Sequence, residues 1–375
     1  MSTDVLKIAY IGARGVGGTY SGIETYYEEV GSRLAQRGHR VTAYCRSYFT
    51  PKVESFRGIQ VRRLPALRSK HLETLSHSLL ATADCLFRDF DIVQFHAVGS
   101  APLSVLPRLV GKTTIVSVRG LDWQRAKWGR FAKWVLRAGE WSSVRAPTAT
   151  VVVSETLRQF FLDVHGRDSH TIPNALVMGT EKPIQRIAEY GLEKDGFVLF
   201  AGRISPEKGV HTLLEAMRHL PRHKKLVLAG GSSYSDSYIE ELRQSAWDDV
   251  LFLGQVDHAT VEELYSNCYA FILPSSIEGL SIALLEALSF GTCIVTTGIP
   301  ENLEVVGDSA LVVEPGNVES LRGVLGRILE SPELVERYRR LASEQAQRRP
   351  DWDEVTRMTE DFYYQVLDRR QHSPV

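Results

Sequence analysis

The feature that most restricts this chain is an alternation of short apolar runs with helical patterns, which occurs twice along it. The first series of runs includes Lys7 to Ile11, Val41 to Cys45, Asp91 to His96, Thr114 to Val118 and Thr150 to Val153. The second includes Phe197 to Ala201, Leu226 to Ala229, Val250 to Leu253, Ala270 to Leu273, Cys293 to Thr296 and Leu311 to Val313. Helical patterns such as Glu24 to Gln36, Thr212 to His219, Val261 to Cys268 and Leu280 to Ser289 fall between them, and Gly38 stands where a helix end wants a left-handed residue. Runs that are apolar throughout have no face to give to water, so they need helices on both sides. A helix between consecutive strands also supplies the crossover of a parallel pair. The pattern predicts an α/β chain with two parallel sheets, each covered by helices.

A polar stretch from Ile172-Pro173-Asn174 to Glu193-Lys194-Asp195-Gly196, containing Pro173 and Pro183, separates the two series and reads as a linker. The domains expected are therefore residues 1–178 and 190–353, a division that 375 residues accommodate with a separate core for each. Apolar residues at 43% and charged residues at 24% are the balance of a water-soluble globular chain. No run approaches the ~18 apolar residues that a membrane span needs. The segment before Ile8 has neither the basic stretch nor the cleavage site of a secretory signal. Cys45, Cys85, Cys268 and Cys293 are scattered without metal-type or redox-type spacing, so a cytoplasmic location is expected. Residues 1–180 hold 24 Lys plus Arg and 14 Asp plus Glu, and residues 181–375 hold 20 and 31, so the halves carry about +10 and −11. A basic half calls for an anionic partner.

In open parallel sheets ligands sit beyond the carboxyl ends of the strands, so the loops there are the place to look for chemistry. The run Phe197 to Ala201 leads into Gly202-Arg203-Ile204-Ser205-Pro206-Glu207-Lys208-Gly209. The glycines let the backbone turn, while Arg203 and Lys208 offer a rigid fork and a mobile point charge suited to a diphosphate. Alone, the pattern is equally a solvated loop. Pro274-Ser275-Ser276-Ile277-Glu278-Gly279-Leu280-Ser281 follows another strand and opens a helix that carries Glu286, presenting the backbone N–H groups of a helix start, which bind phosphate without a metal. Eight residues of helix rise about 12 Å, so Glu278 and Glu286 would grip two ends of one extended ligand. Glu286 lies in the apolar run Ile282 to Leu288, where a lone carboxylate is costly and a ribose diol would satisfy it. Glu278 is also placed to meet the positive end of the helix.

Gly202-Arg203 with Lys208-Gly209, followed by two Glu with seven residues between them, resembles glycosyltransferase family 4. Gly22-Ile23-Glu24, Gly38-His39, the Asp91 to His96 run and Ile172-Pro173-Asn174 fall in the family's order. The resemblance implies the GT-B fold, two Rossmann-like doubly wound domains facing across a cleft, with a C-terminal helix within 354–375 packing back on the first domain. It also implies transfer of a hexose-type sugar from a nucleotide sugar with retention of configuration, with no metal and no cofactor. Glu278, Arg203 and Lys208 take the catalytic places in that scheme. The donor would be held by Gly22, Arg203, Lys208, Val256, Glu278, Gly279, Leu280, Ser281 and Glu286, and the acceptor by Glu24, His96, Arg119 and Asp122. The Asp-x-Asp pairs are set aside as metal ligands: Asp89/Asp91 begins a strand on the far side, and Asp351/Asp353 reads as a helix cap.

The first-half loop Gly12 to Gly22 is glycine-rich but has Tyr20 where a dinucleotide fingerprint needs its third glycine, and the second strand ends in Cys45-Arg46 without an acidic ribose ligand. A dehydrogenase is disfavoured. Glu24 is as well explained by the dipole of its helix as by acceptor contact, and a lone His96 by packing. Arg119-Gly120-Leu121-Asp122-Trp123 resembles a branch of the family that builds bacterial surface polysaccharides, except that a histidine commonly stands where this chain has Arg119. Four of the six Trp lie between 123 and 141 among Arg and Lys. That mixture either packs its rings on the core or docks on an anionic inner leaflet, where a lipid-linked acceptor would sit. No nucleic-acid motif accompanies the charge. A nucleotide-sugar epimerase of the same fold and an inactive nucleotide-binding scaffold are the alternatives.

Overall fold

The computed structural model describes residues 4–17, 22–69, 72–96, 98–121, 123, 129–221, 224–231 and 236–372, with backbone alone at Gly22, Phe131, Ala132, Asp236, Gln371 and His372. They form two compact units, one running to Ala175 and resuming at Pro350, the other from Leu176 to Arg349. The first unit contains, in order, β1 (Lys7–Ile11), α1 (Gly22–Gln36), β2 (Arg40–Arg46), β3 (Ser55–Phe56), β4 (Ile59–Leu64), α2 (Glu73–Leu86) and β5 (Ile92–His96). A 3-10 turn (Val98–Ser104), α3 (Val105–Leu109), β6 (Thr113–Val118), α4 (Arg130–Ser143), β7 (Ala149–Val152), α5 (Glu155–His165) and β8 (His170–Thr171) follow. The second contains β9 (Phe197–Ala201), α6 (Val210–Arg218), β10 (Lys225–Ala229), α7 (Asp236–Gln244), β11 (Val250–Gly254), α8 (His258–Asn267) and β12 (Ala270–Leu273). It ends with α9 (Ile282–Ser289), β13 (Ile294–Thr297), α10 (Pro300–Val306), β14 (Ala310–Val313), α11 (Val318–Glu330) and α12 (Pro332–Gln347), before α13 (Trp352–His372).

The first sheet has the order β3-β4-β2-β1-β5-β6-β7-β8 and is parallel except for the β3–β4 pair. The second, β11-β10-β9-β12-β13-β14, is parallel throughout. Strands β5, β9 and β12 are buried along their whole length, and β9 and β12 accordingly read as unbroken apolar runs. The direction of winding reverses between β1 and β5 in one sheet and between β9 and β12 in the other. Such switch points leave a crevice at the carboxyl ends of the two strands.

Helix α13 belongs to the first unit. Val355, Phe362, Tyr363 and Val366 enter the core beneath α1, and Tyr363 donates to Gln94 on β5. Arg33 pairs with Asp353 at 3.0 Å, and Glu360 takes Arg37 at 2.6 Å and His39 at 2.7 Å. Both Asp-x-Asp pairs have structural partners. Asp351 accepts the Glu354 N–H at 2.8 Å as a helix cap, Asp91 accepts the Lys7 N–H at 2.7 Å, and Asp89 pairs with the Lys7 ammonium. Part of the segment read as a linker is bound into the second unit. The buried Glu263 carboxylate on α8 accepts the backbone N–H groups of Gln185, Arg186 and Ile187 at 3.0, 2.8 and 3.3 Å.

Candidate active site

In the second unit the loops that follow β9 and β12 meet at the switch point. Gly202 (φ +144°) and Gly209 (φ +69°) take backbone conformations that side chains resist, and a Cβ at Gly209 would lie 2.2 Å from the Pro274 carbonyl oxygen. The Ser276 N–H donates to the Glu207 carbonyl at 2.9 Å, fastening one loop to the other. Lys208 Nζ then meets Glu278 Oε1 at 2.5 Å, and the Ser275 hydroxyl donates to the same oxygen at 2.7 Å. The Lys208 and Glu278 side chains are only 14% and 7% exposed, so the pair is largely withdrawn from water. Arg203, half-buried, stands one residue beyond β9.

Glu278 is not on the helix, which corrects the expectation that eight helical residues separate it from Glu286. Ser281 is the cap of α9: its backbone is extended (φ −74°, ψ 109°) and its hydroxyl accepts the Leu284 N–H. The N–H groups of Gly279, Leu280 and Ser281 make no hydrogen bond to a described residue. They form a short run of donors just ahead of the helix, beside the Lys208–Glu278 pair. Glu286 sits within α9, where burial pushes its carboxyl above the usual range while the neighbouring Tyr265 hydroxyl counteracts this. Tyr265 is itself buried, stacked on Phe290 and donating to the Ala283 carbonyl at 3.2 Å. Val256, just past β11, borders a cavity of about 410 Å³ also lined by Arg186, Tyr190 and Gln255.

In the first unit the corresponding switch point lies beyond β1 and β5. Gly12 must be glycine, because a Cβ there would come 2.3 Å from the His96 carbonyl oxygen. Gly22 opens α1. Glu24, 4% exposed, accepts the Arg14 N–H at 2.9 Å and so ties the β1–α1 loop to the first turn of α1. His96 is fully enclosed by Tyr10, Tyr26 and Tyr27, with ring centroids 5.4, 5.3 and 4.8 Å away. Burial, with help from the Arg119 charge, pushes its pKa well below the ordinary imidazole range, so the ring is neutral. Arg119 follows β6, donates from Nη1 to Asn174 and lies over the Tyr26 ring at 4.4 Å. Asp122 lies outside the described residues. Trp123 donates to the buried Glu140, which also meets His165 at 2.8 Å, whereas Trp134 and Trp141 on α4 are 67% and 54% exposed.

The arrangement at the second switch point, with a cation held at the end of β9 and a row of donors after β12, suits a ligand carrying a diphosphate. The family model described as "Glycosyltransferase Family 4" matches residues 20–177, and that described as "Glycosyl transferases group 1" matches residues 184–346. The chain belongs to glycosyltransferase family 4 and has the GT-B fold. Its relatives include the uncharacterized glycosyltransferase MJ1607 of Methanocaldococcus jannaschii, 24% identical over 91% of this chain and 94% of that one. O-antigen chain mannosyltransferase B of Escherichia coli is 30% identical over 36% of this chain and 37% of its own. Among solved structures, Anabaena Alr3699/HepE in complex with UDP and glucose is similar with a TM-score of 0.79 at 17% identity, covering 96% of this chain and 100% of that one. As a family member the chain is a glycosyltransferase.

The Lys208–Glu278 contact, the Ser275 hydrogen bond to Glu278 and the place of Tyr265 beside Glu286 lie beyond the expectations drawn from the sequence. Ser275 and Glu278 stand three residues apart, a visible signal. The Lys208 contact spans 70 residues and exists only because two loops cross.

Proposed function

We propose that this family 4 glycosyltransferase moves a hexose-type sugar from a nucleotide-sugar donor to a glycan or lipid-linked acceptor in bacterial surface polysaccharide biosynthesis. The observation that carries the reading is the largely buried Lys208–Glu278–Ser275 contact next to three backbone donors at the switch point of the second sheet. In the reaction the bond between the anomeric carbon and the diphosphate oxygen breaks. The acceptor oxygen bonds to the same face of that carbon, and the acceptor proton passes to the departing diphosphate. Configuration is thereby retained. Lys208, Arg203 and the N–H groups of Gly279, Leu280 and Ser281 meet the charge that develops on the leaving group, a preorganised stabilisation that calls for neither metal nor cofactor. Glu278 holds Lys208 in place and faces the sugar, and Glu286 accepts from the ribose hydroxyls. HepE, solved with UDP and glucose, supports a nucleotide-sugar donor, and the O-antigen mannosyltransferase supports a polysaccharide product.

The same reading places the enzyme on the inner face of the cytoplasmic membrane, with an anionic bilayer as the occupant of one surface of the first unit. Helix α2 turns His77, Ser78, Ala81, Thr82 and Cys85 inward and leaves Leu72 at its cap, Leu75, Leu79 and Leu80 outward, 44–50% exposed. Phe87 (91%) and, at the end of the adjoining α3, Leu109 (77%) extend that apolar surface. Helices α2 and α4 both pack on the 3-10 turn, and α4 adds Trp134 and Trp141 interleaved with Arg130, Lys133 and Arg137. An apolar face next to a cationic, Trp-bearing helix matches the chemistry of a bilayer interface rich in anionic lipid. No helix among the described residues is long and apolar enough to cross a membrane.

The test is incubation with candidate nucleotide sugars, with and without acceptor lipid extract, and mass analysis of the products. Transfer predicts nucleoside diphosphate released in step with a glycosylated acceptor. Conversion of the nucleotide sugar without any acceptor would replace this reading with an epimerase, and nucleotide binding without turnover would replace it with a scaffold.

A further inference from the structure

Arg119 is a cation with no counter-ion among the described residues. It sits one residue past β6 and beside β5, at the edge of the first sheet where ligands bind. Among the described residues no carboxylate pairs with it. Its contacts are the Tyr26 ring at 4.4 Å and the Asn174 amide oxygen, and His96, whose imidazole feels its charge, is held neutral. Its Nε is enclosed without a partner, and Nη2 bonds to no described residue. A ring face attracts a guanidinium and an amide oxygen accepts from it, but neither neutralises it. A half-buried charge left in that condition costs free energy that an opposite charge would recover.

A guanidinium cannot lose its proton near neutral pH, so Arg119 installs a permanent positive charge where its enclosed neighbour His96 stays neutral. We propose that Arg119 receives an oxyanion of the substrate, a carboxylate or a phosphate monoester, and that the enzyme thereby selects an acidic sugar or a phosphorylated acceptor over neutral ones. This rests on the glycosyl-transfer reading. A charge-assisted hydrogen bond of this kind is worth roughly tenfold to a hundredfold in affinity.

The experiment separates the two readings. UDP, GDP and ADP are first titrated by calorimetry into the full-length protein, and loss of all nucleotide binding strikes the transfer reading alone. With the preferred nucleotide bound, glucose, glucuronate and glucose 6-phosphate are titrated in turn. The account expects at least one acid to bind about tenfold more tightly than glucose. Glucuronate would identify a sugar carboxylate and glucose 6-phosphate a phosphate group. Arg119→His and Arg119→Gln should erase the preference without changing nucleotide affinity, and Arg119→Lys should keep part of it. If the acids bind no better than glucose to the wild-type protein, or if Arg119→His keeps the preference, the proposal is overturned. The wild-type comparison stands even where a variant fails to fold.

Discussion

Replacing Lys208 by methionine keeps the apolar stem and removes the charge that Glu278 faces. At the observed 2.5 Å, in an effective dielectric of about 20, the gross attraction is about 7 kcal/mol, much of which the lost hydration of both ions offsets. Breaking one side of a buried pair typically costs about 3–5 kcal/mol, because the partner is left charged and unpaired. Glu278 keeps the Ser275 hydroxyl at 2.7 Å, which places the expected loss for Lys208→Met near the lower figure, about 3 kcal/mol. Glu278→Gln should cost less, since the lysine can swing its ammonium to water. The double variant should then be destabilised by at least about 1.5 kcal/mol less than the sum of the singles. Urea titrations followed by hydrogen exchange at the amides of β9 and β12 read this locally. A coupling energy below about 0.5 kcal/mol would show that the two side chains do not act as a unit and would refute the reasoning.

Other consequences are equally open to measurement. Burial raises the Glu286 carboxyl above its usual range, and a ribose diol donating to it favours the ionised form; nucleoside diphosphate should therefore bind more tightly as pH rises through that raised value, and Glu286→Gln should flatten the profile in a calorimetric series. His77 is fully buried, and burial together with the Arg46 charge lowers its pKa from 6.5 to about 4. The unfolded chain takes up that proton first, so stability is complete above pH 6.5 and falls by about 3 kcal/mol as pH drops through about 4. His77→Leu should remove that part of the acid slope, and an unchanged slope would contradict the assignment. Vesicle flotation should show binding that increases with the fraction of anionic lipid and disappears in Leu75→Asp/Leu79→Asp, with nucleotide affinity unaltered; binding indifferent to lipid charge would count against the docking face.

Most of the architecture was legible because parallel strands buried on both faces leave largely apolar runs, and each named run became a strand. The pair β3–β4 escaped notice because Ser55–Phe56 is two residues long and Ile59–Leu64 is buried only at Ile59, with exposed or half-exposed residues after it. The loops that bear Arg203, Lys208 and Glu278 were legible from glycine and charge placement. Their meeting was not, since it depends on Gly209 passing within contact of Pro274 from a different strand. The start of α9 was misread because the apolar pattern continues back through Leu280, while the serine cap at position 281 decides the boundary. His96 is chemically suggestive in sequence, but only the three tyrosine rings around it reveal that it is enclosed.

The central claim is that side chains and backbone donors of the second unit bind a nucleoside diphosphate without a divalent ion. It is tested most directly by titrating the preferred diphosphate into wild-type and Lys208→Met protein in the presence of excess chelator. The account predicts undiminished binding by the wild type and a loss of at least tenfold in the variant, the scale of one charge-assisted contact to phosphate. Binding that vanishes with chelator and returns with magnesium, or that ignores the loss of Lys208, would contradict it.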